Sequence, residues 1–470
     1  VTLTTSPSGA DGGRPPAPGG PAQAPSPRTA NPAGRADPRT GARPGPPGRA
    51  GAAAPRGRRL RPSWPVLVLA AVAYLPLLAT APGRIGADTK AYLYLDPGRM
   101  LRRAVSMWDP AIGMGTVTHQ NIGYLYPQGL FYWLLDTAGL PDWVAQRLWT
   151  GSILFGAGTG VLFLLRSFRW PDRFAFVAAA GYMLSPYILE YEARISAILL
   201  PYAGLGWLIG ITVRGLREAE PGRAGWRPAG WRFPAAFALV VTTIGSINAS
   251  SLIFILFAPL LWVPFAVWGT REVRLGAAVG MCTRAVLAVL VTSAWWIAGL
   301  YTQAGYGLNV LAFTETIETV ASSSQASEVL RGLGNWFFYG QDALGPWIKP
   351  ATHYTHDLWL IVISFALPIL ALAAASAIRW GHRGYFVALI LLGTTIAVGV
   401  YPYDDPSPWG RVFKDFAEGS TAGLALRSLP RAVPMVVLGL SVLLAGGLAA
   451  LEQRYAARAA AGTSAGGGGR

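Results

Sequence analysis

Asp88 is the residue of this 470-residue chain whose type and context best suit acid–base work on a substrate. It stands in Gly86-Ala87-Asp88-Thr89-Lys90, just after an apolar run ends and near the start of a long polar stretch, Gly83 to Asp136. A carboxylate just above a bilayer can act as general base toward a hydroxyl, and partial burial would bring its pKa into a useful range. Lys90 could orient it or meet a phosphate. The alternative is an Asp that only forms a turn or caps a helix. The same stretch carries Tyr92, Tyr94, Trp108, Tyr124, Tyr126, Phe131, Tyr132 and Trp133. Loops this long are either functional or disordered, and so many aromatic side chains argue for order. Flat aromatics beside carboxylates suit a sugar, because apolar sugar faces stack and hydroxyls need acceptors. Tyr124 and Tyr126 are the binding candidates. A loop packed only against its own bundle is the rival reading. Asp96-Pro97 and Asp109-Pro110 read as turns.

Further candidates lie in later polar segments. Glu190 and Glu192 sit with Arg194 in a short turn, as binding residues or as a local ion pair. Glu315 and Glu318 are three apart and would share a helix face, giving a paired-carboxylate site, a divalent-cation site or a solvated face. Arg331, preceded by Glu328 and followed by the aromatic block that starts at Trp336, suits a lipid phosphate, because guanidinium binds phosphate oxygens in pairs. Arg427 and Arg431 flank the start of the last apolar run, where an anionic headgroup would lie, or where they would simply anchor the interface. His353 and His356, three apart with Asp357 adjacent, could ligate a metal from a helical turn but lack a clear third ligand; no metal or other cofactor is required. The one cysteine, Cys282, excludes an intrachain disulfide and a cysteine-cluster metal site.

The elements that must position these residues are membrane helices. The chain is 52% hydrophobic and 13% charged, with a mean hydropathy of +0.37, whereas soluble domains carry about 25% charged residues. Ten apolar runs of crossing length or nearly so follow one another: 64–82, 144–165, 174–189, 195–213, 233–247, 252–268, 285–301, 358–378, 385–400 and 433–451. Short loops rich in arginine fall on one side, including Arg214, Arg217, Arg223, Arg227 and Arg232, and the positive-inside rule places that side in the cytoplasm. Most acidic residues fall in outer turns and in three outer loops, 83–141, 302–356 and 401–430. The expectation is an all-α polytopic plasma-membrane protein, a bundle of about ten transmembrane helices, with an extracytoplasmic working face and both termini cytoplasmic. Residues 1–62 read as a disordered basic tail, 63–452 as the membrane domain and 453–470 as a second disordered tail. Half of the +16 net charge comes from the first tail. No nucleic-acid module accompanies it, so the lipid bilayer is the partner expected for that charge.

The order of these pieces resembles a family. The first outer loop reads ADTK…LDP…NIGYLYPQG…VAQRLW, and TETIETVASSSQASEVLRGLGNWFFY and RSLPRAVPM follow before the last helix. This is similar to the actinobacterial α-(1→3)-arabinofuranosyltransferases of the AftD type, which are GT-C membrane glycosyltransferases. The most specific pieces are 123–127, 146–149 and 328–332, within a similarity running from about residue 60 to 450. The resemblance implies a GT-C fold and a decaprenylphosphoryl-arabinofuranose donor. It also implies an arabinan acceptor at the outer face, with the catalytic carboxylate of the first outer loop falling on Asp88. Inversion fits a single carboxylate. The rivals are a GT-C transferase using another prenyl-phosphate sugar such as mannose, a lipid transporter, or a non-catalytic glycan-binding protein. Ionisable residues in loops instead of mid-helix weigh against a transporter.

Overall fold

A computed structural model describes residues 63–465 except 89, 118–120, 193 and 221–229. The expectations for the 1–62 tail, the end of the second tail (466–470), Arg223 and Arg227 lie outside the described residues. Each of the ten apolar runs overlaps a helix. These are α1 (Trp64–Ala79), α2 (Asp142–Ser167), α3 (Asp172–Met183), α4 (Ser196–Ala219), α5 (Arg232–Gly245), α6 (Ala249–Pro264), α7 (Leu275–Tyr306), α8 (Leu358–Ala377), α9 (Arg383–Val398) and α10 (Val433–Ala465). Six are long and apolar enough to cross a membrane: α2, α4, α6 with its extension to Gly269, α7, α8 and α10. The others are shorter.

Two boundaries moved for legible reasons. The run expected as 174–189 breaks at Ser185-Pro186, because proline supplies no N–H and clashes with a preceding turn. A separate short helix, Pro186–Glu192, follows. α7 begins ten residues before the expected Ala285 and takes Arg284 into its first turns. That leaves it 32 residues long.

α4 is the centre of the bundle, with 94% of its apolar window buried, whereas α7 and α8 bury only 17% each and turn their side chains outward. Lipid offers no hydrophobic drive for helix association, so close contact depends on small residues. A Cβ on Gly206 of α4 would lie 2.5 Å from the Gly160 carbonyl carbon of α2, and one on Gly210 would meet Phe163. The two backbones therefore touch. At the arginine-rich end, Arg217 and His382 both bind Glu272, at 3.0 and 2.6 Å. The His382 ring lies among Phe168, Trp262 and Trp380. The three long loops gather at the opposite end, where the only described strands form two minimal hairpins, 108–109 with 116–117 and 341–342 with 345–346.

Candidate active site

The N-terminus of α4 organises the loop end. Its N-cap residue is Ile195, which has no side chain to offer the first turn. Helix N-termini leave N–H groups without intrahelical partners, so an acceptor must come from elsewhere. It comes from the first loop: Asp88 Oδ1 accepts the Ser196 N–H at 3.0 Å, and Oδ2 accepts the Ser196 hydroxyl. The positive end of α4 is complementary to a carboxylate there. Ser196 Oγ also receives the indole N–H of Trp149, at 3.1 Å.

The backbone behind Asp88 is clamped. Gln146, in the first turns of α2, accepts the Gly86 N–H at 2.6 Å and donates its amide to the Gly86 carbonyl at 3.0 Å. Its neighbour Arg147 donates to the Arg84 carbonyl at 3.2 Å. The Tyr94 hydroxyl lies 3.5 Å from both the Gly86 and Asp88 carbonyls. Lys90 adopts φ +58°, a left-handed conformation unusual for a side chain of its size, and holds its ammonium 4.3 Å from the centre of the Tyr124 ring. Burial pushes Lys90 down to about 8. The Tyr124 hydroxyl is raised, chiefly by burial and further by Tyr92 and Asp88.

Glu192 belongs to the same electrostatic cluster. Burial raises its carboxyl, Arg147 opposes that, and the Asp88 charge adds to it. Glu190 is 2% exposed, and its Oε2 has no hydrogen-bond partner. Burial pushes it up to about 7. The ion pair considered for this turn does not form: among the described residues neither glutamate makes a salt bridge.

Below this cluster a groove of about 400 Å³ runs between α2, α4 and α5, lined by Pro127, Trp149, Gly156, Trp207 and Ile244 among others. It is overwhelmingly apolar. Trp149 belongs both to its wall and to the hydrogen-bonded set around Asp88. A carboxylate held at a helix terminus, two nearby cations and a hydrocarbon-lined groove can together take an amphiphile with an anionic head and deprotonate a hydroxyl beside it.

Residues 72–467 match the family profile described as α-(1→3)-arabinofuranosyltransferase, N-terminal GT-C domain. The chain belongs to this family. Among its relatives, the α-(1→3)-arabinofuranosyltransferases of Mycolicibacterium smegmatis and Mycobacterium tuberculosis are 29% and 28% identical over 383 and 392 residues, each covering 80% of the chain. The chain spans about a quarter of their lengths. A solved mycobacterial arabinofuranosyltransferase AftD superposes with a TM-score of 0.60 at 22% identity, covering 82% of this chain and 24% of that one. A mutant form of it gives 0.56 at 23% identity, over 82% and 25%. The fold is thus the GT-C membrane fold.

The remaining candidates of this GT-C domain divide by what they touch. Tyr126 docks the first loop on α5: its hydroxyl meets Thr243 at 3.1 Å, and its carbonyl accepts from Ser246 at 2.7 Å. Glu315 and Glu318 do not share a helix face, because Thr316 caps a helix that starts only at Ile317. Glu315 instead binds Arg427 at 3.3 Å and Ser428 at 2.8 Å. Arg427 is buried and also donates to the Glu315 and Leu424 carbonyls and to Thr314. Arg331 is buried against Glu328 at 2.6 Å, with Ser364 and the Tyr354 carbonyl. Trp336 is half-buried against Trp347. Arg431 bonds Asn248 and Ser250 at the start of α6. His353 and His356 gain no third ligand: among the described residues no group of three His, Cys, Asp or Glu could hold a metal. Asp96 caps helix Pro97–Ala104, and Asp109 accepts the Ala111 N–H, so both act in turns.

Sequence reasoning missed Ser196, Gln146, Arg147 and Trp149 as site residues. Gln146 and Arg147 did carry a signal, two long polar side chains in succession at the start of an apolar helix.

Proposed function

We propose that this chain transfers arabinofuranose from a polyprenyl-phosphate donor to an arabinan acceptor at the extracytoplasmic face of the plasma membrane, with inversion, forming an α-(1→3) linkage. The observation that carries this reading is the union at Trp149 of a fixed carboxylate with an apolar groove. The groove takes the first isoprene units of the donor. Arg147 and Lys90 are the cations of the Asp88 cluster and meet the donor phosphate, which leaves Arg331, Arg427 and Arg431 to tie the loops to the bundle. Asp88 accepts the proton of the attacking hydroxyl as that oxygen bonds to the anomeric carbon. The bond from the anomeric carbon to the phosphate oxygen breaks through an oxocarbenium-like state, and the polyprenyl phosphate leaves with the electron pair. Because the leaving group departs as a stable anion, the step needs no general acid.

The test is to incubate the chain in lipid nanodiscs with radiolabelled polyprenyl-phosphoryl arabinose and a synthetic arabinan, followed by linkage analysis. Label should enter the glycan at position 3. Transfer only from a prenyl-phosphoryl mannose, or none from either donor, would overturn the reading.

A further inference from the structure

A second cavity, of about 640 Å³, opens between the first long loop and the end of α7. Its walls include Lys90, Tyr92, Asp96, Arg99, Asn121 and Gln303. Apolar side chains, Leu95, Met100, Ile112, Val117, Leu308 and Val310, make up most of its surface. It shares no lining residue with the groove between α2, α4 and α5.

Its position decides what it can hold. At 1.5 Å per residue α7 is about 48 Å long, against a hydrocarbon core of about 30 Å. Gln303 sits in its last turn, so the cavity lies outside the hydrocarbon. Its chemistry agrees. Its few polar groups mix donors and acceptors, and two of them are ordered by contacts within the protein: the Tyr92 hydroxyl donates to Asn121 Oδ1 at 3.0 Å, and Asp96 is fixed by the Arg99 N–H at 3.0 Å. A mostly apolar lining with a few planar polar side chains held in place matches a ligand whose ring faces are apolar and whose hydroxyls need partners. The cavity also reaches the reaction centre. Tyr124, which carries Lys90 on its ring, is influenced by both Tyr92 of the cavity and Asp88.

We infer that this cavity is the acceptor subsite. It holds the glycan chain behind the attacking hydroxyl, with Asn121 and Gln303 as specificity-determining residues. The inference rests on the reading above for the identity of the glycan, an arabinan. Lipid donor and glycan acceptor then approach Asp88 from different sides, the donor from the membrane and the acceptor from the loops.

The experiment uses the whole chain in nanodiscs and a synthetic arabinofuranose oligosaccharide bearing a diazirine, so it reads binding without turnover. Cross-linked peptides from 92–121 and 303–310 are expected. Asn121→Ala with Gln303→Ala, and separately Leu308→Trp, should reduce cross-linking at least tenfold. A parallel diazirine probe on a polyprenyl phosphate should label α2, α4 or α5 to the same extent in every variant, which shows that they fold. An oligosaccharide that labels another surface, or labels the variants as strongly as the parent chain, would overturn the subsite while leaving the transferase reading standing. An oligosaccharide that labels nothing, beside a lipid probe that does label, also overturns the subsite. Failure of the radiolabel transfer alone counts against the reading and not against the cavity.

Discussion

Asp88 and Ser196 are joined by two hydrogen bonds across 108 positions of sequence. One of them satisfies the first N–H of the central helix. The residue proposed as base is thus also the cap of α4, which ties the geometry of the site to the helix around which the bundle packs.

Asp88→Asn keeps one acceptor for the Ser196 N–H but cannot take a proton. Loss of a general base typically costs about 10²–10⁴-fold in rate. In the transfer assay kcat should fall by that factor, with donor KM and melting temperature near those of the parent. Turnover within a few-fold of the parent would move the base elsewhere, Glu192 first.

Gln146→Ala removes both bonds to Gly86 and frees the backbone behind Asp88 while keeping the carboxylate itself. A carboxylate displaced by about 1 Å can lose on the order of 10²-fold in rate. The expected outcome is a kcat fall of about 10- to 100-fold at unchanged donor KM. Gln146→Glu, which keeps the acceptor but not the donor, should fall between. A drop in yield or melting temperature with kcat unchanged in the folded fraction would mark Gln146 as a packing residue.

The apolar helices were legible in the sequence because membrane crossing demands length and hydropathy, and both are local. The break at Pro186 was signalled there too, by the proline, although the run expected from the apolar residues continues through it to Leu189. The pairing of Asp88 with Ser196 was not, because the need for a cap arises from what Ile195 lacks, more than a hundred residues away. The ion pairs of Arg331 and Arg427 bear on a related point. A guanidinium near a membrane edge reads as a phosphate ligand until its carboxylate partner is placed beside it, and only the fold brings Glu315 to Arg427.

That pair can be tested directly. Removing one partner of a buried ion pair costs about 3–5 kcal/mol. Arg427→Ala should therefore lower the melting temperature and yield sharply, while donor KM in the folded fraction stays unchanged. A raised donor KM with normal stability would restore Arg427 as a phosphate ligand.

Glu190 sets a pH dependence. Burial raises its folded pKa from 4.5 to about 7. Below 4.5 the folded and unfolded chains are both protonated there, and the residue costs nothing. Between 4.5 and about 7 only the folded chain keeps the proton, so stability falls as pH rises. Above about 7 the whole cost stands, on the order of 3 kcal/mol at 1.36 kcal/mol per pKa unit. Glu190→Gln should raise the melting temperature at about pH 8 and leave it unchanged at about pH 4. Equal shifts at both values would assign the effect to packing.

Orientation is testable in a Cys282→Ser background. Cysteines at Ser106 and Ser322 should react with an impermeant maleimide on intact cells, and one at Arg379 only after lysis. Reversed labelling would place the loop end in the cytoplasm and remove the proposed site from the outer face.

Trp149 has a consequence for substrates that change only far from the sugar. Its indole is wall to the groove on one side and hydrogen-bond donor to the serine that holds Asp88 on the other. Hydrocarbon packed against the ring steadies that donor, so part of the binding energy of the unreactive tail is expressed in the chemical step. Donors trimmed by successive isoprene units should therefore lose turnover number as well as affinity, and the loss should stop once the trimmed end no longer reaches the indole.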